Sequence, residues 1–97
     1  MFWRNLFHKK TPYEKLMEVY PKEGYHAWKI PDSKYFSFGV IMKEHDVREK
    51  IENDNNRLRE ITNKAAGELG LEAIVEGPVF LAGGVYGVFV YLEKKSA

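Results

Sequence analysis

The side chains able to act as nucleophiles, bases or metal ligands are few and scattered. The chain has no cysteine, which removes thiolate catalysis, disulfides and thiolate metal sites together. Its three histidines, His8, His26 and His45, are far apart in sequence. His45 and Glu49 have the spacing that puts two ligands on one helix face, but a zinc site takes three or four converging ligands. The pair therefore reads as a solvated helix start. Ser33, Ser37 and Ser96 sit in no nucleophile-elbow context, and the largest group of carboxylates falls along one helical stretch, where they look like a solvated face. These residues imply no catalytic constellation and no cofactor, so the chain reads as a binding protein rather than an enzyme.

Two local patterns need more than this. Gly83-Gly84-Val85-Tyr86-Gly87 suggests a phosphate loop, but such a loop follows a strand and opens a helix, where the first amide groups point at the anion. Here the glycines open a strand, and a bulge or close backbone packing explains them better. In Asn53-Asp54-Asn55-Asn56, the helical period running from Ile51 to Leu58 lands on Asp54 or Asn55. A polar group thus interrupts an apolar stripe, and burying it without a partner would cost about 1–3 kcal/mol. A kink, a buried hydrogen bond to a sheet, or a ligand or subunit contact would each account for it.

The elements that must position these residues follow from periodicity. Thr11-Pro12-Tyr13-Glu14 combines a cap, a proline at the first helical position and a capping-box glutamate. Tyr13, Leu16, Met17 and Tyr20 then share one helical face, and Pro21 and Gly24 close the helix. Residues 25–30 and 35–43 read as a hairpin around the turn Pro31-Asp32-Ser33-Lys34. A long amphipathic helix is predicted over 46–69, stopped by Gly70. Strands follow at 71–76 and 85–93, with Gly77-Pro78 as a turn and 79–84 as either a loop or a bulged extension. The fold class expected is α+β: a short N-terminal helix, a β-hairpin, a long helix and two further strands. Their simplest packing is a four-stranded, mostly antiparallel sheet with the long helix on one face.

The hairpin carries the best functional lead. With Ile30 opposite Tyr35, residues His26, Trp28, Tyr35, Ser37 and Gly39 share one face, and Tyr25, Ala27, Phe36, Phe38, Val40 and Met42 share the other. The second set is the more apolar and belongs to the helix-covered core. That leaves His26, Trp28 and Tyr35 on the open face, with Lys34 near the turn, an arrangement suited to protein recognition or base stacking. Phe2, Trp3, Leu6 and Phe7, beside Arg4, Lys9 and Lys10, form a second contact segment, an arm or short amphipathic helix over residues 1–10. It could cover the sheet, pack in a homodimer, or make weak peripheral contact with an anionic membrane.

The bulk properties agree with a binding domain. The 97 residues suit one domain spanning 1–97, with 44% hydrophobic and 30% charged residues. Fifteen basic residues against 14 acidic ones, a net charge of +1, lack the basic excess of a dedicated duplex-DNA binder. No stretch approaches the roughly 20 apolar residues of a membrane span. Residues 1–10 have neither the apolar run nor the cleavage site of a signal peptide, so a cytoplasmic location is expected.

The first 43 residues resemble an RNA recognition motif. Residues Met1-Phe2-Trp3-Arg4-Asn5-Leu6 are similar to its shorter signature and Lys34-Tyr35-Phe36-Ser37-Phe38-Gly39 to its longer one, with Thr11 to Leu16 where its first helix begins. The resemblance implies RNA stacking on Phe2, Phe36 and Phe38. The sequence departs from the pattern at Tyr35, Ser37 and Gly39, in the length of the second helix and in an extra strand. Single-stranded nucleic-acid binding is therefore the alternative to the leading expectation, a non-enzymatic module contacting another protein or itself. A small-ligand domain, with Asp54 or Asn55 pointing into a cavity, is a third.

Overall fold

A computed structural model of the chain describes residues 11–31, 36–43 and 47–94. Helix α1 spans Pro12–Lys22, strand β1 His26–Ile30, β2 Phe36–Ile41, helix α2 Arg48–Glu68, β3 Leu71–Leu81 and β4 Val85–Lys94. The strands form one sheet in the order β1-β2-β4-β3, with every neighbouring pair antiparallel. Both helices contact the strands, and α2 lies chiefly against β3.

The α1 start is the capping box expected from its sequence. The Glu14 amide donates to Thr11 Oγ1 at 3.2 Å, and the Thr11 amide donates to Glu14 Oε1 at 3.1 Å. Pro21 does not end the helix but sits in its last turn, and Gly24 makes the following turn at φ 85°. Helix α2 stops where Gly70 takes φ 72°, a left-handed conformation that a glycine adopts without steric cost.

The hairpin register is Ile30 opposite Ser37, two residues from the expected pairing with Tyr35. A strand's side chains alternate with a period of two, so this difference leaves each residue on its expected face. Tyr25, Ala27, Phe38, Val40 and Met42 are buried in one core with Leu16 and Tyr20 of α1, Leu58, Ile61, Ala65 and Ala66 of α2, and Val75, Val88, Val90 and Leu92. Phe36 lies on the same side at the margin, 36% exposed, its ring 5.1 Å from that of Tyr13.

Gly77-Pro78 is not a turn. The strand β3 continues through it to Leu81, joined there by a cis peptide, and the register against β4 shifts between Glu76 and Val79. Proline has no amide hydrogen to donate, so it is tolerated in a sheet only at an edge or a bulge, and β3 supplies both. The turn lies instead at 82–84, where Gly83 and Gly84 take φ 88° and 81°. Gly87 marks a close approach of another kind: a Cβ there would fall 2.6 Å from the Val40 carbonyl oxygen and 2.8 Å from Leu81 Cδ1.

Candidate functional site

The polar interruption of α2 proves to be a buried hydrogen-bond node. Asp54 is buried, and Tyr25 donates its hydroxyl proton to Oδ1 while the Lys43 amide donates to Oδ2 at 2.6 Å. The Lys43 ammonium stands 4.6 Å from the centre of the Tyr25 ring, close enough for a cation–π contact. Burial first, and then the adjacent Asp54 carboxylate, push the Tyr25 phenol well above its ordinary value. One helical residue thus holds the start of β1 and the end of β2 against mid-α2. A second buried pair, Tyr20 Oη and Thr62 Oγ1 at 2.6 Å, ties α1 to α2, and burial raises the Tyr20 phenol likewise. Asn55 is half-buried, and its amide oxygen lies out of contact with water without a hydrogen-bond partner.

Neither Asp54 nor Asn55 lines the groove between the helices. That groove, about 360 Å³, is bordered by Lys15, Glu23, Arg57, Glu60, Lys64 and Glu68 around an apolar floor. Its charges neutralise one another: Arg57 reaches Glu23 at 2.8 Å and Glu60 at 3.4 Å, and Lys15 reaches Glu68 at 3.2 Å. The described residues hold no group of three or more His, Asp or Glu side chains placed to bind a metal ion. None of their helices is long and apolar enough to cross a membrane.

The sheet face turned away from the core is built from rungs that cross all four strands. One rung runs Ile30, Ser37, Tyr91, Ile74, and the next Trp28, Gly39, Phe89, Glu76. His26, Ile41, Gly87 and Val79 form a third, and Glu93 and Glu72 pair beyond the first. Trp28 lies across β2 directly over Gly39. A Cβ at 39 would come within 2.7 Å of Trp28 Cη2 and closer still to Cζ2 and Cε2. The glycine is therefore what lets the indole lie flat on the sheet. Trp28 keeps 36% of its surface exposed and Ile74 43%. His26 is exposed beside Trp28, their rings 6.3 Å apart. Ile74, Glu76, Tyr91 and Glu93 line a shallow depression of about 220 Å³.

The structure thus brings together His26 and Trp28 of the expected open face. Lys34, Tyr35 and the segment Phe2, Trp3, Leu6 and Phe7 lie outside the described residues, as does His45. Of the aromatics that the RNA-binding resemblance implies for stacking, Phe38 is completely buried against Tyr13 and Tyr20, and Phe36 packs on Tyr13. Sequence reasoning missed the far half of the open face, Phe89 and Tyr91 with Ile74 and the carboxylates of Glu72, Glu76 and Glu93. The alternation Glu72, Ile74, Glu76 was a readable signal for one strand. Only the β3–β4 register adds Glu93 and Tyr91 to it.

No family model matches the chain, and neither curated proteins nor solved structures give a match.

Proposed function

We propose that this is a non-enzymatic binding module acting through protein–protein contacts on its open sheet face. The observation that carries the reading is the flat, partly exposed Trp28 over Gly39, continuous through Phe89 and Tyr91 with exposed Ile74. Exposed aromatic and aliphatic side chains on one rigid surface are what protein interfaces use as anchors. The described strand residues on this face include three glutamates and no lysine or arginine. That balance disfavours a phosphate backbone, since single-strand binders track it with a positively charged groove. The burial of Phe38 weighs in the same direction.

The deciding measurement is the solution mass of the full chain by light scattering, alone and with a single-stranded RNA of mixed sequence. Self-association that RNA does not alter, and that Trp28→Phe reduces while the melting temperature stays near the parent's, supports the reading. A chain that is monomeric alone and gains the mass of the RNA overturns it in favour of nucleic-acid binding. A monomer indifferent to RNA directs the search to a separate protein partner, the case developed next.

A further inference from the structure

The open face has a chemical asymmetry that specifies its partner. On the β1–β2 side the described residues are His26, Trp28, Ile30, Ser37, Gly39 and Ile41, none of them carboxylates. On the β3–β4 side, Ile74 and Tyr91 are flanked by Glu76 within the strand and by Glu72 and Glu93 at the sheet's end. Glu72 and Glu93 are direct cross-strand partners. Like charges placed directly opposite each other in an antiparallel pair destabilise it. The ion pairs formed by the described residues leave out Glu72, Glu76 and Glu93. An apolar floor beside three carboxylates, two of them directly opposite each other across the strands, is a surface that complements a cationic group.

We infer that the β3–β4 half of the open face docks a cationic amphipathic segment of another protein. Its apolar side chains would seat on Ile74 and Tyr91, and its lysines or arginines would meet Glu72, Glu76 and Glu93. The inference rests on the protein-binding reading and narrows it to one half of the face and one charge class. Charge complementarity selects this occupant: an acidic segment would bring further carboxylates against Glu76 and Glu93 of the depression and Glu72 beside it, and a neutral apolar one would leave all three without a counter-charge.

The test is a fluorescence anisotropy titration of the full chain with a labelled peptide carrying leucine and phenylalanine on one face and lysine on the other. The comparison peptide has glutamate in place of each lysine. The lysine peptide binds, its affinity falls as salt rises, and the glutamate peptide does not bind. Glu72→Gln with Glu93→Gln weakens the lysine peptide about fivefold, as expected for losing two exposed ion pairs. The same double variant melts at a higher temperature than the parent, because the repulsion is gone. A merely structural role for these glutamates predicts that second change without the first. Equal binding of both peptides, no binding of the lysine peptide, or unchanged affinity in the glutamine variant overturns the inference. So does a peptide of residues 1–10 of this chain that binds more tightly and dissociates a self-associated form, since the occupant is then a second copy. Self-association that is sensitive to Trp28→Phe but indifferent to the lysine peptide refutes this inference and leaves the protein-binding reading standing.

Discussion

Replacing Asp54 by alanine removes the acceptor shared by the Tyr25 hydroxyl and the Lys43 amide. The Tyr25 hydroxyl is buried, so stranding it costs about 1–3 kcal/mol. The Lys43 amide makes a part-buried bond, and its loss sits at the low end, about 1 kcal/mol. Asp54→Ala is therefore expected to destabilise the fold by about 3 kcal/mol. Against the 5–15 kcal/mol typical of natural domains, that is a large fraction. Tyr25→Phe removes one donor but leaves the carboxylate its bond to Lys43, and should cost about 1 kcal/mol. In the Asp54→Ala background the same change deletes the stranded hydroxyl, so it should be nearly neutral. The coupling between the two sites is then on the order of 1–2 kcal/mol, within the range for groups in one network. Urea unfolding followed by circular dichroism at neutral pH gives all four stabilities, with similar slopes if the unfolded states are alike. If Asp54→Ala costs less than about 1 kcal/mol, or the two changes simply add, Asp54 is not the joint between α2 and the hairpin.

Alkaline pH offers an independent check on both buried phenols. Tyr20 and Tyr25 ionise above their ordinary value of 10.0, so the folded state holds protons that the unfolded state releases. Their stabilisation is complete below pH 10 and is lost as pH rises through the raised values. In that window each costs about 1.4 kcal/mol per pH unit, and the double variant Tyr20→Phe, Tyr25→Phe should flatten the alkaline limb of the stability curve. An unchanged limb would show that the phenols ionise freely in the folded protein. Gly39→Val should drive Trp28 off the sheet. In a Trp3→Phe background, where Trp28 is the sole tryptophan, its selectively excited emission should shift to the red and its quenching by acrylamide should rise, with about 1–3 kcal/mol of stability lost. Unaltered emission would mean that the indole does not rest on Gly39.

The parts of this fold that were legible in the sequence are those fixed by local chemistry and by periods of 3.6 and 2. The capping box at Thr11 and the stop at Gly70 needed only neighbouring residues. The assignment of Ala27, Phe38 and Val40 to the core tolerated a register wrong by two, because a two-residue slip returns each side chain to the same face. The interruption of the α2 stripe at Asp54 or Asn55 was visible as a gap in periodicity, without a choice between the two. Its explanation was not, because Tyr25 lies 29 positions away and belongs to a different element. Gly77-Pro78 misled for a physical reason: the residues that favour turns also mark bulges in edge strands, and only the length of β4 opposite shows which is built. The acidic half of the open face was hidden likewise, since Glu93 joins Glu72 only through pairing.

The Trp28–Gly39 contact bears on how the open face can both hold the fold and recognise a partner. A glycine inside a central strand loses backbone entropy and offers no side chain to pack, so position 39 alone would weaken β2. The indole fills that space and restores the missing cross-strand contact, which gives Trp28 a structural role. The same contact fixes its orientation before any partner arrives, so binding to its exposed third immobilises little that was free. Substitution of Trp28 must therefore lower stability and binding together, and loss of binding in Trp28→Ala is not by itself proof of recognition. Trp28→Phe separates the two contributions. A smaller ring still covers Gly39 and keeps much of the sheet contact, but it withdraws the outer edge of the indole. If the face is an interface, Trp28→Phe melts near the parent temperature and binds more weakly. If Trp28 serves only to shield Gly39, binding follows the melting temperature in both variants.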